Sequence, residues 1–320
     1  MANRQLNAED LSGRQISLTL LVAGLSPAAA LAGAADWPWV LVWTGVGILL
    51  AWFVLRRIRG CPLYQGTGGG VLYIFYAGWS VVLASRVLGR AAQRLELTSG
   101  GSPRLWLLLI FAVPLLWISW GKAAPFFRMV EILWLAMAAT LALVLVFGML
   151  RVEWSYVMNA QEDWRQSALA VGELFAPALF VLPYIYKVRG CSARRGLGWL
   201  TVLGVVAAAL SLITVGILGR AAERVPQAFY VAVGTLGKSA RCEGLLSVLW
   251  LLPDLTLAGL LCRVWGARRW PAVGAVLAVG LAIAGVGVRL SSESCVYGTL
   301  VLLLLSLFLS RGKGKIVVKF

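Results

Sequence analysis

The chain has no histidine among its 320 residues, and only 13% of them are charged. Without histidine, imidazole acid/base catalysis and histidine proton relays are excluded. The five cysteines (Cys61, Cys191, Cys242, Cys262, Cys295) form no CxxC pair, so neither a zinc nor an iron–sulfur site is expected, and no cofactor is implied. Acids are scarce as well, 13 Asp and Glu against 29 Lys and Arg. No nucleophile elbow or paired-acid motif is present, and an enzyme is not expected. The formal charge of +16 is not a nucleic-acid footprint, because the basic residues stand in short clusters between apolar runs.

What fills the chain instead is apolar sequence. It is 60% hydrophobic, with a mean hydropathy of +0.85. Repeated runs of roughly 18 or more apolar residues mark a polytopic membrane protein. Ten spans are predicted, at 15–34, 37–55, 68–88, 105–120, 127–150, 168–187, 197–218, 244–264, 270–288 and 296–310. The first follows a polar tip with Glu9 and Asp10 rather than a basic start, so it reads as a span and not as a signal peptide. A milder stretch around Val225–Val233 is expected as a helix lying on the membrane surface. With both termini in the cytoplasm, 18 of the 29 Lys and Arg residues fall inside, in keeping with the positive-inside rule.

Two of these runs carry a proline at matching places: Gly24-Leu25-Ser26-Pro27 in the first, Gly172-Glu173-Leu-Phe175-Ala176-Pro177 in the sixth. Each proline removes an amide donor and frees the carbonyl four residues earlier. Broken helices in corresponding positions of two halves point to a transporter binding site. The expected architecture is therefore all-α: ten helices in a five-plus-five inverted repeat with helices one and six broken. It is a single permease domain over 1–320, with the first repeat in 1–150, the second in 165–310 and a basic cytoplasmic tail in 311–320.

Three acids fall inside predicted spans: Glu131, Glu173 and Asp254. An intramembrane acid is a functional candidate by default. Glu173, one turn before Pro177, can bind an ammonium group or sodium ion or exchange a proton; the bland alternative is a structural cap. Glu131 lies three residues after Arg128, and an i,i+3 ion pair at the membrane edge accounts for it. Asp254, after Pro253, is either a second functional acid or the closure of a kink. Glu173, Asp254 and Glu131 are the candidates for ion or proton coupling. Gly24, Leu25 and Ser26 offer close backbone approach and a hydroxyl, or simply tight helix packing. Tyr76, Phe175, Ala176 and Trp250 complete the candidate pocket, though membrane tryptophans and tyrosines are commonly interface anchors. The repeated Leu88-Gly-Arg-Ala-Ala-Gln-Arg94 and Leu218-Gly-Arg-Ala-Ala-Glu-Arg224 read as basic membrane-edge sequence used twice. Cys242 and Cys295 fall on one side of this topology, where a disulfide is permitted but nothing brings them together.

Several segments in order resemble the spore germination permease family, the B subunit of germinant receptors, within the amino acid–polyamine–organocation transporter superfamily. They are Gln15-Ile-Ser-Leu-Thr-Leu-Leu, Lys122-Ala-Ala-Pro-Phe-Phe-Arg-Met-Val-Glu131, Gly172-Glu173-Leu-Phe, Leu182-Pro-Tyr-Ile185 and Cys242-Glu243-Gly-Leu-Leu-Ser-Val-Leu-Trp250-Leu-Leu. Glu131 and Glu173 match positions where that family commonly carries Glu. The resemblance implies a nutrient-sensing subunit that binds an amino acid between helices one and six. It would sit in a bacterial cell membrane or spore inner membrane, among lipid, with A- and C-type receptor subunits as partners. The rivals are an amino-acid transporter coupled to protons or sodium, and a membrane scaffold that binds nothing.

Overall fold

The computed structural model describes the chain at residues 12–58, 67–98, 101, 103–120, 123–158, 163–189, 193–236, 246–266 and 271–309. In order, the helices are α1 (Gly13–Leu31), α2 (Trp37–Ile58), α3 (Thr67–Thr98), α4 (Arg104–Trp120), α5 (Ala123–Met149), α6 (Trp154–Met158) and α7 (Trp164–Arg189). After them come α8 (Ala193–Leu218), a 3-10 turn (Gly219–Glu223), α9 (Ala228–Leu236), α10 (Leu251–Gly266), α11 (Pro271–Ile283), α12 (Val286–Arg289) and α13 (Ser292–Leu309). No strand occurs among the described residues. Where lipid supplies no hydrogen bonds, a helix is the open structure that satisfies its own backbone.

Among the described residues, five segments are by themselves long and apolar enough to cross a membrane: Gly13–Leu31, Trp37–Val54, Ala124–Met149, Gly198–Glu223 and Leu246–Val264. Three shorter apolar helices, Arg104–Trp120, Ala272–Ile283 and Ser292–Leu305, accompany them. Helices α3 and α7 are as long, at 32 and 26 residues, but carry charge within them.

The spans divide into core and rim. In the α1 and Leu246–Val264 spans, 67% and 72% of residues are buried, against 28% and 22% in the α2 and α5 spans. Helix α1 packs on α5, α7, α8 and α10, while α3 packs on α10, α11 and α12. The outer faces of α2, α4 and α5 present Leu49, Phe53, Ile110, Val113, Ile132, Leu135 and Phe147. Apolar exposure on that scale suits lipid tails rather than water. The chain is an integral membrane protein.

Ser12 starts α1 with a reciprocal capping box: its hydroxyl accepts from the Gln15 amide at 3.1 Å and Gln15 Oε1 accepts from the Ser12 amide at 3.0 Å. The helix then runs unbroken through Pro27, and α7 runs unbroken through Pro177. The expected breaks in helices one and six are therefore not found. A proline removes one bond, and inside a membrane bundle the neighbouring helices and the remaining bonds hold the helix together. The lapse comes in span eight: residues 246–249 are helical, the helix falters at Trp250, and α10 begins at Leu251. Pro253 lies in the first turn of α10, where a missing amide costs little. Asp254 in the same turn suits the positive end of the helix dipole.

Two further expectations need correction. Helix α3 does not end near Leu88 but continues to Thr98. The stretch around Val225–Val233 does not lie on a membrane surface: Ala228, Phe229, Tyr230, Ala232 and Val233 of α9 are all buried, packed on α8, α1 and α5. Its apolar side chains are covered by protein, which serves them as well as lipid would.

Candidate functional site

The site starts with a spacing. Arg86, Arg90 and Arg94 lie four residues apart on α3, so successive guanidinium groups stand on one helical face. Opposite that face come Glu173 from α7, Asp254 from α10 and Ser26 from α1. Glu173 Oε1 takes Arg86 Nη2 at 2.5 Å, Arg86 Nε at 2.8 Å and Arg90 Nη2 at 2.6 Å. Its other oxygen accepts from Ser292 Oγ at 3.0 Å. Asp254 Oδ2 takes Arg94 Nη2 at 2.6 Å, and Asp254 Oδ1 accepts from Ser26 Oγ at 2.5 Å.

The two outer arginines are tied into backbone as well. Arg86 donates to the carbonyls of Leu290 and Gly287 and to Ser292 Oγ. Arg94 donates to Tyr230 Oη at 3.0 Å and to the Ser247 carbonyl at 3.3 Å, and its guanidinium stands 4.7 Å from the Tyr230 ring centre. Arg90 hydrogen-bonds only Glu173 among the described residues.

These groups wall a cavity of about 30 Å³, which Pro27, Ala176, Pro177, Gln227, Leu257 and Cys295 also line. A water needs roughly 10–15 Å³ by this measure, so the space takes about two waters and a larger solute requires helix movement. Among the described residues charge on the wall is unequal, with three guanidinium groups against two carboxylates. Gln227 adopts φ 57, a left-handed conformation that costs a non-glycine residue roughly 1–2 kcal/mol and clusters at functional sites. Beside this cavity lies a smaller apolar one between Leu20, Ala23, Gly24 and Pro27 of α1 and Leu174, Pro177, Ala178 and Val181 of α7.

A second polar cavity, of about 140 Å³, opens where α1 ends, α7 begins and α8 ends. Asp36, Asp163, Glu223, Arg220 and Arg224 line it with Gln166 and Ser167.

No protein-family model matches the sequence, and no curated protein matches it. In fold, 22 solved chains match. One is Mhp1, a nucleobase-cation-symport-1 family transporter in a closed conformation with bromovinylhydantoin bound, at a TM-score of 0.62 and 15% identity. The match covers 91% of this chain and 76% of that one. The chain shares the fold of that solved structure.

On this fold, the candidate residues separate. Ser26, Glu173, Ala176, Pro27, Pro177 and Asp254 meet at the charged cavity. Gly24 borders the apolar cavity and faces the end of the Leu203 side chain of α8, which a Cβ at that position would have to displace. Leu25 is fully buried, and its carbonyl accepts from Trp250 Nε1 at 3.3 Å. Trp250 packs on Phe229 and Tyr230, with ring centres 5.1 and 6.1 Å away, supporting the cavity from behind. Phe175 turns instead to Gly47 of α2. Tyr76 stacks on Phe180 at 3.7 Å and donates to its carbonyl, away from the cavity lining.

Glu131 is elsewhere. It accepts from Gln15 Nε2 at 2.8 Å and stands 3.8 Å from Arg14, joining α5 to the start of α1 rather than pairing with Arg128. Cys295 is a buried free thiol at the cavity, while Cys242 lies outside the described residues.

The arginines were missed. Arg90 and Arg94 belong to the sequence read as membrane edge, and both sit within the protein. A signal existed: three arginines at four-residue spacing, in a chain whose spans carry unpaired acids, are the counter-ions those acids require.

Proposed function

We propose that this protein moves a small polar solute across the membrane through the cavity where Ser26, Glu173, Asp254 and the α3 arginines converge. The observation that carries this reading is that convergence itself. Buried charges on three different core helices, between Pro27 and Pro177, lie in a chain with a transporter's fold. Ion pairs held so far from water are costly, and polar groups in a membrane bundle commonly mark a solute path. The strained Gln227 at the cavity supports the same placement. A solute larger than two waters enters only if helices part, and alternation between two such states is the basis of transport. The reading carries with it ten spans in a five-plus-five inverted repeat, with both termini cytoplasmic.

Coupling by a cation would have to contend with the guanidinium groups. Both Glu173 and Asp254 are already engaged by arginine, so a sodium ion would displace an internal cation. The purified full chain in liposomes tests the function. Labelled amino acids, hydroxy acids and a hydantoin, of the kind bound by the solved symporter, are offered with and without a sodium or proton gradient. Uptake above protein-free liposomes that falls at least roughly tenfold in Ser26→Ala or Asp254→Asn supports transport through this site.

The resemblance to germination permeases supports a second reading, in which the same cavity senses a nutrient, such as an amino acid, beside A- and C-type subunits. Binding without uptake in the same liposomes favours that reading. Absence of both binding and uptake favours a scaffold.

A further inference from the structure

The cavity's charge does not balance, and the imbalance has an address. Arg94 and Asp254 form one pair, closed on both sides by Tyr230, Ser247 and Ser26. Arg86 and Arg90 share the other carboxylate and even the same oxygen, Glu173 Oε1, while Ser292 holds the second oxygen. Among the described residues one positive charge is left over. Of the two cations on that oxygen, Arg86 is committed to the carbonyls of Leu290 and Gly287 and to Ser292. It acts as the brace between α3 and the turn leading into α13.

Arg90 is different. Among the described residues it makes a single hydrogen bond, to Glu173, although a guanidinium carries five N–H donors. Its side chain is 29% exposed, against 9% for Arg86 and 4% for Arg94, and it lines the cavity. Both wall carboxylates are already paired with arginine, so an incoming ammonium finds no unpaired carboxylate among the described residues. An incoming carboxylate finds a planar fork with donors to spare, the geometry that guanidinium recognises bidentately.

We infer that this site takes a monovalent anion, bound through its carboxylate by Arg90, in preference to a cation, a neutral solute or a zwitterionic amino acid. The inference rests on the reading of this cavity as the solute site and adds the charge class. It also narrows the expectation of an amino-acid ligand, since a zwitterion adds an ammonium that the wall does not serve. Because the anion neutralises the surplus charge, its binding lowers the cost of holding that charge in a low-dielectric interior.

The test uses the full chain in nanodiscs, in a sulfate buffer, with four probes of matched shape: lactate, lactamide, alanine and alaninamide. A phenyl-substituted set (3-phenyllactate, its amide, phenylalanine and phenylalaninamide) covers a larger pocket, and chloride separates a simple halide site from a carboxylate site. Melting temperature and equilibrium binding are measured for wild type, Arg90→Gln and Arg90→Lys. Arg90→Gln leaves two cations facing two carboxylates, and its unliganded melting temperature and elution volume verify folding. The carboxylates are expected to raise the wild-type melting temperature above their uncharged, zwitterionic and cationic counterparts. Arg90→Gln should weaken carboxylate binding roughly tenfold or more, while Arg90→Lys keeps most of it.

Stronger binding of alanine, alaninamide or an amide overturns the inference, as do unchanged carboxylate binding in Arg90→Gln, a response to chloride alone, or no response in either set. Uptake in liposomes separates this from the transport reading. Uptake of a zwitterion would keep transport and sink the anion class, and Arg90-dependent carboxylate binding without uptake would do the reverse.

Discussion

Leu88-Gly-Arg-Ala-Ala-Gln-Arg94 and Leu218-Gly-Arg-Ala-Ala-Glu-Arg224 differ only in Gln93 against Glu223, yet they end in opposite surroundings. The first copy is continuous helix within α3, and its arginines face Glu173 and Asp254. The second begins where α8 ends: Gly219 adopts φ 58, a 3-10 turn follows, and Arg220 and Arg224 are exposed beside the larger polar cavity. Part of the difference is local. Val225 precedes Pro226, and a residue before proline is pushed out of helical conformation. Leu95-Glu-Leu-Thr98 follows the first copy and lets the helix continue. The rest is tertiary, because an arginine stays within a membrane bundle where carboxylates or backbone carbonyls meet it. One string of residues thus serves as a buried charge ladder or as a polar rim, according to what lies across from it.

Substitutions at matching positions test that contrast. The largest effect is expected at Arg94. Arg94→Ala leaves Asp254 buried without its cation and should cost roughly 3–5 kcal/mol, read as a lower melting temperature in detergent. The matching Arg224→Ala would break the contrast if it cost as much. Gly287 comes next. A Cβ there meets the backbone of Ser85 and Arg86, so Gly287→Ala pushes α12 off α3 at the arginine ladder, costing about 1–3 kcal/mol. Solute binding should weaken with it, which a loss confined to stability would contradict.

Gly219→Ala probes the turn that sets the second copy apart. The left-handed φ and a Tyr156 ring atom 3.3 Å from the added Cβ predict a loss of roughly 1–2 kcal/mol, measured in the same melts. Smallest of all, Arg220→Ala and Arg224→Ala should stay within about 0.5 kcal/mol, as exposed positions do. A pronounced effect of either on solute uptake would instead make the outer cavity part of the path.

The acids were legible in the sequence because a carboxylate in an apolar run has no bland surroundings to explain it. Glu173, Asp254 and Ser26 do meet at one cavity, and Pro27 and Pro177 meet there with them. The arginine ladder went unread because span three was closed at Leu88, which left Arg86 alone inside it and put Arg90 and Arg94 beyond its end. At 1.5 Å per residue, α3 is about 48 Å long, so its last turns looked like rim. The prolines misled in another way. Proline reports a lost hydrogen bond, but whether a helix breaks there depends on how firmly its neighbours hold it. In α1 and α7 they hold it, and the helix falters instead at Trp250 ahead of Pro253. Trp250 and Phe175 showed the right helices but the wrong faces, since aromatic packing is settled between helices and not within one.

By itself the sequence determined that this protein lives in a membrane as helices, because sustained apolar runs leave the backbone no other way to satisfy its hydrogen bonds there. It also determined that Glu173 and Asp254 would need partners, since an isolated charge in such a helix is too costly. Only the tertiary structure decided which partners. Four-residue spacing puts Arg86, Arg90 and Arg94 on one face, but the crossing of α3 with α7 and α10 sets two of them on a single carboxylate oxygen and one on the other acid. That crossing is fixed by packing between residues far apart in the chain, and it leaves the surplus charge at Arg90.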